Sequence, residues 1–283
     1  MLRNMVLHDI ESLGNQPVTE DILQFAQQLA RDAGEVMLGE RESANLNRDY
    51  KDGIELVTQA DLKVDALICQ RIRKQFPDHA ILSEESSPDL ARPWESNVPV
   101  WIIDPIDGTV NYAHGHIQSA VSIAYLDQGQ ISVGVVYNPF TDELFHAVAG
   151  AGAWLNNQAI SVSGKTELSR ALIATGFPYV KEGLEPMVDR VRSILYHCAD
   201  IRRLGSAALD ICWLAAGRMD GYYESVSLWD FAAARLIAKE AGAECGHFSE
   251  VPTGIDPQFH PRDLLIATPA LYSQLRHLLA GKS

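Results

Sequence analysis

Trp101-Ile-Ile-Asp104-Pro-Ile-Asp107-Gly-Thr109 is the stretch that decides how this chain is read. Together with Val100 it begins as an apolar run of strand type, and its polar residues follow at the strand's C-terminal end, where layered α/β structures build their sites. Pro105 fixes its own φ and keeps Asp104 out of helical geometry. A rigid bend of this kind aims the carboxylates of Asp104 and Asp107 at one point. Gly108 permits close approach of the backbone, and its N–H and that of Thr109 suit a phosphate. Two or more hard carboxylates with water are what Mg2+ prefers. Taken alone, D-P-x-D-G suits a surface turn equally well, because Asp, Pro and Gly all favour turns.

Around this stretch the pattern is mixed. Residues 1–17 lack a clear period and read as a loose arm. From Thr19, a candidate cap, Ile22, Phe25, Leu29, Ala33 and Val36 line one helical face, and a second helix is expected from Asp61 to Gln75, stopped by Pro77. Short strands are expected at Ala80–Leu82, Val98–Ile103, Val121–Tyr125, Ile131–Tyr137 and Leu144–Val148. In the second half, helices over about 185–197, Ser206–Ala216, Trp229–Ala241 and Pro269–Leu279 alternate with strands at Ala171–Thr175, Gly221–Tyr223 and Leu264–Ala267. The expected organisation is an antiparallel-rich α+β half over 1–160, carrying most of the metal ligands, and an α/β half over 161–283, carrying substrate contacts and the last ligand.

Composition narrows the function. The 283 residues are 47% hydrophobic, enough for a large core, and 23 Lys and Arg stand against 37 Asp and Glu, a formal charge of −14. Nucleic acid and anionic membrane reward clustered positive charge, so neither is expected as a partner. An acidic chain handles anionic phosphates if bound cations intervene. The four cysteines, Cys69, Cys198, Cys212 and Cys245, form no C-x-x-C pair and read as reduced thiols rather than a zinc site. The start, Met1-Leu-Arg-Asn-Met5, has no apolar signal-type core and no run of membrane-spanning length follows, so a soluble, cytoplasmic protein is expected.

Three further acidic pieces bear on the first. Leu82-Ser83-Glu84-Glu85-Ser86 puts paired acids after a short strand, Val57-Thr58-Gln59-Ala60-Asp61 puts an acid at a helix start, and Leu228-Trp229-Asp230 opens a helix with another. Singly, each is also a solvated loop acid or a helix-start acid. Together with D-P-I-D-G-T, extended by Asn111-Tyr112, and with Trp229-Asp230-Phe-Ala-Ala233 and Gly205-Ser206-Ala207-Ala208-Leu209-Asp210, they resemble the inositol monophosphatase family over roughly residues 19–280. That family carries an acid pair after a strand, W-x-x-D-P-[IL]-D-G-T, G-[ST]-A-A and a later W-D-x-A-[AG].

The resemblance implies a mixed α/β (α+β) fold, the layered α-β-α-β-α sandwich of the inositol monophosphatase and fructose-1,6-bisphosphatase type, usually a homodimer. It implies a Mg2+-dependent, lithium-sensitive phosphatase acting on a small phosphorylated polyol or sugar, with myo-inositol 1-phosphate first and fructose-1,6-bisphosphate, histidinol phosphate, 3′-phosphoadenosine 5′-phosphate or NADP as alternatives. Glu84, Asp104 and the Ile106 carbonyl would hold one Mg2+, Asp104, Asp107 and Asp230 a second, and Glu84 with water a third. Thr109 and Asp61 would activate water beside Glu84, with Glu85 orienting it, while the amides of Gly108 and Thr109 take the phosphate. Gly205, Ser206, Ala207 and Glu224 would meet the alcohol. Glu224 stands six residues before Asp230, where many of the family have seven and an intervening glycine, so the place of its carboxylate is left open. The basic pair Arg202-Arg203 reads either as a second phosphate contact or as a solvated edge, and Lys51 as a weak tuner of the metal from a loop. His114 reads as structural. A non-catalytic regulator on the same fold is the alternative of another class.

Overall fold

A computed structural model of the chain describes residues 2–43, 48–51, 55–86 and 93–281. The long first helix α1 (Leu2–Glu42) is followed by the hairpin β1 (Arg48–Lys51) and β2 (Glu55–Thr58), then by α2 (Gln59–Gln75). The strands β3 (Ala80–Ser83), β4 (Val100–Asp107), β5 (Ala120–Asp127), β6 (Gln130–Asn138), β7 (Glu143–Val148), β8 (Ala153–Leu155) and β9 (Gln158–Ile160) lie in sequence order in one seven-stranded sheet, with α3 (Thr109–His114) between β4 and β5. Only its β3–β4 pair is parallel.

The later strands β10 (Leu172–Thr175), β11 (Asp200–Arg202), β12 (Gly221–Glu224), β13 (Glu244–His247) and β14 (Leu264–Ala267) form a five-stranded sheet in the order β11-β10-β12-β14-β13. Helices α4 (Glu185–His197), α5 (Ala207–Ala215), α6 (Leu228–Glu240) and α7 (Pro269–Leu279) intervene.

Three apolar cores define the layers. Leu29, Ala33 and Met37 of α1 and Val64, Ile68 and Ile72 of α2 pack on Trp101, Ile103 and Val135 of the large sheet. The opposite face of that sheet, through Val100, Ile102 and Val136, meets Leu209, Ile211, Phe231 and Ile237 of α5 and α6, which also cover Ala174, Tyr222 and Ile266 of the small sheet. Its outer face packs through Ile173 and Leu265 on Ile194 of α4 and Leu271 and Leu275 of α7. This is the expected α-β-α-β-α sandwich. Among the described residues no helix is long and apolar enough to cross a membrane.

Two local readings change. The first helix starts at Leu2, so Thr19 lies inside it rather than capping it. Leu, Met, Glu and Gln hold helical geometry well without an apolar period, which is why residues 1–17 read as an arm. β4 also runs on past Ile103 to Asp107 instead of ending before the acids. Asp104 faces Ser122 and Asp107 faces Ala120, so three steps along β4 match two along β5: a β-bulge holds one extra residue. Pro105, which has no N–H to give the ladder, sits within it. In a regular strand, residues three apart point to opposite faces. The bulge turns Asp104 and Asp107 to the same side.

Candidate active site

Each acid reaches the site from the end of a different element. Asp104 and Asp107 come from the bulge of β4, and the N–H of Ile106 donates to Asp104 Oδ1 at 3.0 Å, closing a tight turn around Pro105. β3 runs parallel to β4 with Ser83 opposite Ile103, and the Glu84 N–H donates to the Ile103 carbonyl at 3.3 Å. That register places Glu84 beside Asp104, to which its carboxyl is hydrogen-bonded. Glu85 follows in the same turn, half-buried.

Asp61 and Asp230 enter as the third residues of two helices, and both close capping boxes, with Thr58 and Ser227 respectively. Asp61 Oδ2 accepts from the Thr58 N–H at 2.8 Å and the Thr58 hydroxyl at 2.5 Å, leaving Oδ1 for the Thr109 hydroxyl at 3.0 Å. Asp230 Oδ2 accepts from the Ser227 N–H at 2.7 Å. Both readings of these acids therefore hold at once: one oxygen caps the helix and the rest of the carboxylate faces the site.

Carboxylate oxygens of Asp104, Asp107 and Asp230 lie within 4.8 Å of one another. Asp107 is steadied from the other half of the chain, its Oδ2 accepting from the Ser206 hydroxyl at 2.5 Å and the Ala208 N–H at 2.7 Å. Ser206 Oγ also accepts the Leu209 N–H at 3.3 Å, capping α5. At Gly108, φ is +89°, a left-handed conformation that favours glycine, and an added Cβ would stand 2.8 Å from the Gln118 carbonyl and 3.0 Å from that of Gly205. The two halves thus touch backbone to backbone beside the acids. Asn111 fastens the seam, its Nδ2 donating to the carbonyls of Gln118 at 2.7 Å and Leu204 at 2.6 Å.

Crowded carboxylates resist ionising together. Burial, then the charges of Glu84, Asp107 and Asp230, hold the Asp104 carboxyl well above the usual range. Burial pushes Asp107 up to about 6 against the pull of its Ser206, Ala207 and Ala208 donors. The Asp230 carboxyl, withdrawn from water although the residue is half-buried, is raised first by burial and then by Asp107. Asp61 is raised by burial, in part offset by Thr58 and Thr109. Such a set fits a divalent cation: several hard oxygens converge, and a bound ion would relieve the repulsion that lifts each pKa.

Glu224 reaches this centre despite its short connection to Asp230. Burial pushes its carboxyl up to about 7, and it is an electrostatic neighbour of Asp107 and Asp230. The Tyr222 hydroxyl donates to its Oε2 at 2.8 Å. A Cβ at Gly176 would overlap the Glu224 carboxylate, which occupies the space that glycine leaves. Asp210 lies behind it, its carboxyl raised by burial and then by Glu224 and Asp107. Arg202 pairs with Asp200 at 2.7 Å, whereas Arg203 lies over the Phe177 ring at 5.5 Å and lowers the pKa values of Asp107, Asp210 and Glu224. A Cβ at Gly205 would collide with Arg203 Nη1. Gly176, Tyr222 and Thr58 carry no sequence signal of their roles. His114 is exposed at the end of α3, and the Lys51 side chain, with loop residues 52–54, lies outside the described residues.

Residues 18–281 match the model of the inositol monophosphatase family. The chain is 42% identical over 224 residues to the Nus factor SuhB of Pasteurella multocida, covering 78% of this chain and 83% of that protein. It is 39% identical over 236 residues to the inositol-1-monophosphatase of Mesorhizobium japonicum, covering 83% and 84%. Among solved structures, the extragenic suppressor protein suhB from Bartonella henselae superposes with a TM-score of 0.84 at 34% identity, over 93% of this chain and all of that one.

Proposed function

Because this chain belongs to the inositol monophosphatase family, we propose that it hydrolyses a small phosphate monoester with Mg2+, myo-inositol 1-phosphate first among its substrates. The observation that carries this reading is the meeting of Asp104, Asp107 and Asp230 oxygens within 4.8 Å. Glu84, Asp104, the Ile106 carbonyl, Asp107 and Asp230 would hold the metal. Bound Mg2+ neutralises phosphate charge and acidifies water.

The chain's own residues supply the rest. One hydroxyl hydrogen cannot serve two acceptors, and Thr109 Oγ1 lies 3.0 Å from Asp61 Oδ1 and 3.1 Å from the Ile106 carbonyl. Donation to Asp61 leaves the Ile106 carbonyl free for a cation and the Thr109 oxygen free to accept from water. As a water attacks phosphorus, its proton passes to Thr109 Oγ1 while the threonine proton passes to Asp61 Oδ1. Glu85 orients that water, and the Gly108 and Thr109 amides take the phosphate oxygens. Gly205 and Glu224 meet the alcohol. Ser206 and Ala207 have committed their donors to Asp107, so their carbonyls and the Ala207 methyl are what they present to it. Lithium sensitivity and a homodimer are carried over on the same footing.

A panel of phosphate monoesters titrated with Mg2+ tests the reading; no Mg2+-dependent phosphate release from any of them would sink it. Gly176→Ala refines it. The new methyl must displace the Glu224 carboxylate, so KM should rise about tenfold, the worth of one hydrogen bond to a charged group, with kcat within about threefold. An unchanged KM would remove Glu224 from alcohol recognition.

The names of the SuhB relatives favour one second reading, a regulatory part in transcription. Asp107→Asn separates the two, since partner binding of that kind survives loss of a buried carboxylate and catalysis does not.

A further inference from the structure

On α6, away from the acids, the structure holds a cavity of about 170 Å3. Its ionisable lining is Arg235 and Lys239 alone, joined by the amides of Gln130 and Gln258 over an apolar floor that includes Ile131 and Leu236. That lining is unexpected in a chain whose acids outnumber its bases by 37 to 23. Two cations one helical turn apart repel each other when no anion stands between them. Among the described residues neither pairs with an acid, and Arg235 Nε is buried with no acceptor. A buried donor left in that state costs about 1–3 kcal/mol, and rotation of the guanidinium toward an oxygen in the cavity would recover it. The volume is below the roughly 300 Å3 at which sites for drug-sized ligands begin, and it equals that of about six waters, so the occupant is ion-sized.

We propose that this recess binds a small oxyanion, phosphate or a short dicarboxylate, held by Arg235 and Lys239 with the two glutamine amides. The site is separate from the acidic centre and does not depend on the phosphatase reading. Any influence on that centre would pass along α6, which carries Asp230 near its start and Arg235 further on.

Calorimetric titration of the full chain with Mg2+ present, using inorganic phosphate in one arm and succinate in another, tests it. At least one of the two anions should bind Asp107→Asn saturably with a Kd of about 1 mM or tighter. Arg235→Gln with Lys239→Gln should weaken that binding at least about tenfold, while Tm and phosphate release stay near wild type. Should the double variant fold poorly, Lys239→Gln alone, at an exposed position, should still weaken it about threefold. Which arm responds identifies the anion. Absence of saturable binding to Asp107→Asn in both arms, or binding that both lysine and arginine variants leave unaltered, would overturn the proposal.

Discussion

Asp107→Asn is expected to lower kcat for phosphate release by about a thousandfold or more, equivalent to about 4 kcal/mol of transition-state stabilisation. The substitution is close to isosteric. An asparagine carbonyl can still accept from the Ser206 hydroxyl and the Ala208 N–H, now 2.5 and 2.7 Å from Asp107 Oδ2, so the seam between the halves keeps its bonds. What disappears is one negative charge from a cluster that fits a cation. The Mg2+ concentration for half-maximal activity should rise alongside the fall in kcat. Retention of kcat to within about tenfold would remove Asp107 from the metal site.

Metal removal should produce the second large effect, through pH. Ionising Asp107 and Glu224 in the folded protein is hard: burial moves the first from 3.8 to about 6 and the second from 4.5 to about 7. Both therefore bind protons more tightly folded than unfolded. Their protonated forms stabilise the fold fully below about pH 4, and that stabilisation is lost as pH rises through 6 and then 7. Every tenfold gain in proton affinity on folding corresponds to about 1.4 kcal/mol. In EDTA, Tm should fall by roughly 5–10 °C between pH 5 and pH 8. Asp104 and Asp230 move in the same direction and deepen the fall. Mg2+ binds the deprotonated ligands, so the Tm gained on adding it should be largest at pH 8. Thermal melts of wild type and Glu224→Gln in EDTA check this. A wild-type Tm that stays flat or rises over that range, or a Glu224→Gln curve as steep as wild type, would refute the account.

The sequence is most legible where chemistry and periodicity coincide. The apolar run into Asp104 and the helices over Glu185–His197 and Pro269–Leu279 stand where their patterns place them. The four acidic pieces are individually ambiguous because a cap and a ligand use the same residue type in the same position. Asp61 and Asp230 resolve this by dividing their oxygens between the two tasks. The bulge in β4 is half visible: Pro105 marks a bend, but only pairing with β5 shows the extra residue. The strands β1, β2, β8, β9, β11 and β13 have three or four residues each. Runs so short take their pairing from neighbours rather than from their own propensity. Gly176 beneath Glu224 and Ser206 beside Asp107 are contacts between distant parts of the chain, and no local pattern announces them.

The seam at Gly108 also bears on how the protein is made. Glu84, Asp104 and Asp107 leave the ribosome well before Ser206, Glu224 and Asp230, yet the Ser206 hydroxyl orients Asp107 and the helix bearing Asp230 completes the cluster. A nascent chain that has formed only the large sheet carries acids without their C-terminal partners, and it has no assembled centre with which to attack cellular phosphates. Hydrolytic capacity therefore arrives with the last layers of the sandwich, so that turnover reports completed synthesis and docking rather than the folding of either sheet alone.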